Sequence, residues 1–268
     1  MSFIRHFLLA VQFFTRIPVT GHVADWVGFS PAMLRASAAH FPGVGWLVAG
    51  TASAVYWALA AALTVTVFSP LVAAVFSTIA TVLLTGGFHE DGLADVADGL
   101  GGSADRERSL NIMKDSRVGA FGAMALAMAL MAKVALLSAI GAQGVHAAVA
   151  CLAGGHVLSR LLPLLLVRAL PHVGDTATSR SKPLADQISR RSLACASLWC
   201  VPPLALFTWQ TGAPALALAT LASGLALLWM WRLFARRLQG FTGDCLGATQ
   251  QVCEIAFYLG AALAPGLR

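Results

Sequence analysis

Ten residues, His89 to Asp98, hold four carboxylates and a histidine. They follow 48 residues, Phe41 to Phe88, without one Asp, Glu, Lys or Arg. On a helix turning about 100° per residue, Asp91, Asp95 and Asp98 fall within about 60° of one another, with Glu90 roughly 100° to the side. Carboxylates at i, i+4 and i+7 repel one another. Acids next to a membrane-crossing segment are costly unless they are used. A hard divalent cation with oxygen ligands is the natural counter-charge, and Mg²⁺ with a phosphate substrate is its commonest use. Glu90, Asp91, Asp95 and Asp98 are therefore the candidate metal ligands, with His89 beside them.

Two further stretches carry chemistry. In Asn111 to Gly122, Lys114 and Arg117 flank Asp115 just ahead of a Gly-containing apolar span. The cations can hold phosphate oxygens while Asp115 joins the metal or accepts a proton. In Gly240 to Gln251, two glycines bracket Thr242 and precede Asp244 at the head of the last helix. Such a turn offers N–H groups to an anion; the plain alternative is a capped turn with Asp244 as N-cap. His156 and Arg160, four residues apart inside an apolar span, form either a phosphate contact or a structural ion pair. Lys133, alone in its span, reads as snorkelling or structural pairing. A Ser-His-Asp spacing, a phosphate-binding P-loop, a dinucleotide Gly-rich turn and H-E-x-x-H are all missing from the sequence, which speaks against a zinc hydrolase.

These groups need elements to hold them. Of 268 residues, 58% are hydrophobic and 11% charged, against about 25% charged in soluble domains. The expectation is a single all-α, polytopic membrane domain over 1–268, with at least six spans of about 20 residues. The spans are expected near 43–66, 70–88, 119–141, 146–169, 193–210 and 214–233. Residues 3–17 read as an interfacial or partly inserted helix, 18–41 as a polar segment, and 252–265 as a last apolar helix. Short uncharged turns (67–70, 142–145, 211–214) alternate with long loops (18–41, 89–118, 171–192, 232–251). The loop 89–118 holds seven of the twelve acidic residues. The Lys and Arg of the long loops place them on the cytoplasmic side. The net charge of +6 points to topology and lipid headgroups rather than nucleic acid. The five cysteines form no C-x-x-C pair and imply no disulfide framework.

Gly87-Phe88-His89-Glu90-Asp91-Gly92-Leu93-Ala94-Asp95-Val96-Ala97-Asp98-Gly99, Met113 to Gly122, and Thr242 to Ala248 together resemble the cobalamin synthase family. Phe14 to Val19 and Phe41 to Gly45 fit as well, so the resemblance runs from about residue 10 to 251. It implies a multi-span enzyme of the bacterial inner membrane. The enzyme would join adenosylcobinamide-GDP to α-ribazole, or its 5′-phosphate, and release GMP with Mg²⁺ present. On that reading Asp115 or Asp244 is the catalytic base. Lys114, Arg117 and Arg160 meet the pyrophosphate, and His89, His156, Thr242 and Gln250 complete the substrate contacts. The partners are then the two substrates and the lipid bilayer, with a homo-oligomer left open. Two alternatives compete: a cation or proton transporter using the same acids, and, by analogy of the acidic helix alone, a lipid enzyme like the CDP-alcohol phosphotransferases.

Overall fold

The computed structural model describes residues 2–174 and 188–264; Asp175, Arg180, Lys182 and Asp186 of the long polar loop lie outside them. The described chain is all-α. It runs α1 (Ser2–Phe14), α2 (Gly21–Val27), α3 (Pro31–Ser37), a 3₁₀ turn (Ala38–His40), α4 (Phe41–Ala62), α5 (Ser69–Thr85) and α6 (Phe88–Gly102). There follow α7 (Arg106–Met113), α8 (Ala120–Gly141), α9 (Val145–Ala169), α10 (Arg190–Thr211), α11 (Ala213–Arg237) and α12 (Gly243–Ala262). The one β-type contact among the described residues is a bridge between His172 and Phe241.

Five helices are long and apolar enough to cross a membrane: α4 with the turn and α3 ahead of it, α8, α9, α10 and α11. Counting α5 with α6 as one bent span makes six. The chain is a multi-pass helical membrane protein. Large apolar side chains such as Leu83, Met128, Leu198, Trp209 and Leu225 point outward, where lipid replaces water and exposure carries no cost. The central helix is α9, 78% buried across its apolar window, whereas only 17% of that of α8 is buried. α9 packs against α4, α10 and α12, and α12 against α11, α6 and α8.

Short turns join α4 to α5, α8 to α9 and α10 to α11. The longer connections, with α6 and α7, therefore gather at the other end of the bundle. Pro42 opens α4, Pro70 opens α5 and Pro214 opens α11, where a missing N–H costs nothing.

Three boundaries differ from the sequence reading. Residues 18–41 are not a loop: α2 and α3 form there, and α3 leads through the 3₁₀ turn directly into α4. The loop 89–118 is mostly α6 and α7. The last helix starts at Gly243 rather than 252, because Thr242 caps it and the polar residues of its first half are buried rather than solvated.

α6 turns 90° from α5. Gly86 and Gly87 make the bend, with φ of 70° and 71°, a region that side-chain-bearing residues avoid. The Arg16 guanidinium lies over Gly86, and the Arg16 N–H donates to the Leu84 carbonyl at 2.7 Å. Arg237 closes the other end of α6, donating to the carbonyls of Ser103 at 2.6 Å and Leu100 at 3.2 Å, where a cation suits the helix dipole.

Some helix contacts leave no room for a side chain. At Gly260 an added Cβ would stand 2.7 Å from the Ala219 Cα of α11. Backbone cannot rotate away as a side chain can, so Gly260→Val is expected to cost about 1–3 kcal/mol. Thermal unfolding in detergent should show a lowered midpoint, and an unchanged midpoint would count against this packing.

Candidate functional site

The acidic helix α6 lies across the end of the bundle, against α12, α8 and α7. Its carboxylates descend from the surface inward: Asp91 is exposed, Asp95 half-buried and Asp98 buried. α12 meets it so closely that a Cβ on Gly92 would stand 2.8 Å from the Asp244 carbonyl oxygen. Asp244 thus joins the α6 acids from a second helix. Thr242, extended at φ −114°, accepts the Cys245 N–H as the N-cap of α12 and donates to the Asp244 carboxylate at 3.2 Å.

Asp95 is pushed from its ordinary 3.8 to about 7, first by burial, then by the charges of Asp244, Asp91 and Asp98. Burial also raises Asp244, against the Thr242 hydroxyl that favours its charged form; Asp91 adds to the rise.

Asp98 has another task. Its two oxygens accept the N–H groups of Gly119 at 2.7 Å and Gly122 at 2.8 Å. It therefore caps α8 from a neighbouring helix, satisfying donors that a helix start leaves unpaired. This explains the Gly119-Ala120-Phe121-Gly122 spacing, since a side chain at either glycine would collide with the Asp98 carboxylate.

Asp115 and Arg117 sit together at the surface in the turn ahead of α8, with Arg117 Nη2 2.6 Å from Asp115 Oδ2. Donation from the Arg117 side chain and then its backbone N–H holds the Asp115 carboxyl down at about 2. A group that acidic is a weak proton acceptor. Lys114 is exposed at the end of α7, beside the same turn.

Other residues read as substrate contacts turn inward. His156, Arg160 and Gln250 are at most 2% exposed and belong to a polar cluster inside the bundle. Its centre is Glu254. Glu254 Oε1 receives Lys133 Nζ at 3.1 Å and the Tyr258 hydroxyl at 3.0 Å; Oε2 receives Gln250 Nε2 at 2.6 Å and lies 3.3 Å from His156 Nδ1. Arg160 donates to the His156 carbonyl at 2.8 Å and stands over the Phe41 ring. His156, Gln250 and Thr242 bond to neighbours within the protein, whereas Arg160 Nε is buried without a partner there. His89 is also buried, stacked on Phe41, and lines an apolar recess with Phe13, Phe14, Phe88 and Leu246.

Sequence reasoning passed over Glu254 and Tyr258; Lys133, read as snorkelling or structural pairing, is a structural pair. A signal existed: Gln250, Gln251, Glu254 and Tyr258 recur at one-turn spacing along one face of α12.

Among the described residues, no three His, Cys, Asp or Glu side chains converge as a closed metal cage. Hard carboxylate oxygens nonetheless line the site, and Glu90 Oε2 is buried without a protein partner. Mg²⁺ takes one or two carboxylates, waters and substrate phosphates rather than an all-protein cage, so the donor set fits an open Mg²⁺ site.

The family model for cobalamin-5-phosphate synthase matches residues 6–262. The chain belongs to that family. It is 64% identical to a protein of Polaromonas sp. named adenosylcobinamide-GDP ribazoletransferase, over 98% of each chain. Proteins of the same name from Leptothrix cholodnii and Vibrio cholerae are 48% and 41% identical, covering 96% and 94% of this chain and 94% and 91% of their own. No solved structure matches.

Two outcomes test the geometry. Gly92→Ala would wedge α12 off α6 and move Asp244, so transferase activity is expected to fall about tenfold or more while helical content stays. The second concerns pH. Asp95 has a folded-state pKa above its unfolded one. Without metal its contribution to stability is present below pH 3.8 and is lost as pH rises through about 7. A divalent cation needs the ionised form, so Mn²⁺ or Mg²⁺ should raise the unfolding midpoint more at pH 8 than at pH 6. Equal increments would argue against metal at these carboxylates.

Proposed function

We propose that the chain is an adenosylcobinamide-GDP ribazoletransferase. It would transfer the cobinamide-phosphate part of adenosylcobinamide-GDP to α-ribazole or its 5′-phosphate and release GMP. The observation that carries this reading is the meeting of Asp91 and Asp95 of α6 with Asp244 of α12 at one end of the bundle, in a chain of this family. Carboxylates brought together in this way suit a cation and an anionic substrate.

The reaction is a displacement at phosphorus. The ribazole hydroxyl oxygen forms the new P–O bond, and the P–O bond to GMP breaks. Asp244, whose carboxyl burial pushes up, is the group we assign to take the hydroxyl proton. Asp91 and Asp95 are the direct oxygen ligands we assign to Mg²⁺. Asp98 fixes α6 to the start of α8, and Glu90 anchors α6 to α12. When bound there, Mg²⁺ supplies charge stabilisation to the phosphoryl oxygens. Lys114 and Arg117 flank the same end and suit the pyrophosphate, Arg117 exchanging its Asp115 partner for phosphate oxygens. Most of the rate is then positioning and electrostatics.

Support for a cytoplasmic active face of the bacterial inner membrane comes from Arg106, Arg108, Lys114, Arg236 and Arg237, which all lie at this end. There a water-soluble nucleotide substrate has access.

Purified protein in detergent should form GMP from the two substrates only with a divalent cation. Asp91→Asn and Asp95→Asn should each lower turnover at least about 100-fold, equivalent to roughly 3 kcal/mol of lost charge stabilisation. Full activity in the Asp91→Asn/Asp95→Asn double variant, or turnover in EDTA, would overturn the assignment.

A further inference from the structure

The mechanism above leaves the buried cluster beneath α6 without a role. Its hydrogen bonds have a direction. The Lys133 ammonium can only donate, and it sits 2.9 Å from Gln251 Oε1. That contact decides which way the Gln251 amide faces. Its Nε2 must then turn the other way, and it donates to Glu90 Oε1 at 3.0 Å and to Gln250 Oε1 at 2.9 Å. With its own oxygen so engaged, Gln250 turns Nε2 to Ser159 Oγ at 2.9 Å and to Glu254 Oε2 at 2.6 Å. Lys133, on α8, is held by Glu254 of α12, whose two oxygens each have two contacts. One charged donor thus orients two amides, and the end of that chain is Glu90, the residue before Asp91.

Glu90 differs from Glu254 in one respect. Both are buried, but Glu90 uses one oxygen within the protein and Oε2 has no partner there. Glu254 is saturated, so it anchors. Glu90 is held on one side and open on the other.

We propose that Lys133, Gln251 and Glu254 are positioning residues: through the Gln251 amide they set the carboxylate of Glu90, and with it the metal-binding end of α6. This rests on the reading of α6 as a metal-binding helix. Partners of this kind orient a metal site without touching the metal.

Two variants test it. Gln251→Glu keeps the side-chain shape and the contact with Lys133 but removes the N–H aimed at Glu90. Lys133→Met/Glu254→Gln removes both buried charges together, so neither is left uncompensated, and frees the Gln251 amide to turn over. Mn²⁺ affinity is read by electron paramagnetic resonance without substrate, alongside thermal unfolding of the same detergent-purified proteins. Wild-type binding, weakened about tenfold in both variants, supports the proposal. Variants with wild-type Mn²⁺ affinity, whether or not their unfolding midpoint falls, reduce the cluster to a structural role and overturn it. A wild-type protein that binds no Mn²⁺ removes the metal reading of α6, and the positioning role with it.

Discussion

Charge enclosed in a membrane-embedded bundle must be neutralised where it stands, and in this protein that requirement centres on Glu254. Its carboxylate is 1% exposed and has Lys133, His156, Gln250 and Tyr258 around it. Lys133 comes from α8, His156 from α9 and the rest from α12. Removing one partner of such a buried pair leaves the other uncompensated and costs roughly 3–5 kcal/mol, so the three helices have to keep the register that brings these groups together. Gln251 extends the same cluster to Glu90, which makes the acidic helix a dependent of the bundle interior.

The remaining placement of α6 is steric. Gly86 and Gly87 allow the 90° turn, and Gly92 lets α12 approach to backbone distance. Gly119 and Gly122 let Asp98 reach the start of α8. Gly92, Gly119 and Gly122 stand where two pieces of backbone, or backbone and a carboxylate, come closer than a side chain permits, while Gly86 and Gly87 supply positive φ. The acids themselves would push α6 outward. Asp98 is relieved by the helix start it caps, and Asp91, Asp95 and Asp244 are left near one another, with burial and the neighbouring charges raising the pKa of Asp95. That unrelieved repulsion is what a divalent cation and its phosphate ligand would offset.

The division of labour within each stretch follows. Asp91, Asp95 and Asp244 lie at the open end, while Glu90 and Asp98 tie α6 to α12 and α8 and Thr242 caps α12. Asp115 and Arg117 form an exposed pair beside them. Residues of one motif therefore have different physical tasks, and residues of different motifs share one. The apolar recess around His89 adjoins the same end, formed by aromatic rings of α1, α4 and α6.

Much was legible in the sequence. Low charge and long apolar runs determined a helical multi-pass protein, because a backbone in lipid has to satisfy its own hydrogen bonds. The spacing of Asp91, Asp95 and Asp98 determined a shared stripe, because helical geometry is local. The alternation of uncharged turns and polar loops determined that the chemistry-bearing stretches lie at one end. The family, too, was readable from its motifs. What the sequence misread were residues whose polarity is answered by distant partners. Gln250, Gln251 and Glu254 looked like a loop and a lone charge; they are buried helix, because Lys133, more than a hundred positions away, and His156 meet them there. Arg160 and His156 read as either a phosphate contact or a structural ion pair, and in the fold both lie in the core. Which acid caps a helix and which faces the open end was likewise decided only in three dimensions, since a carboxylate's task depends on the donors that packing brings to it, and those donors lie on other helices.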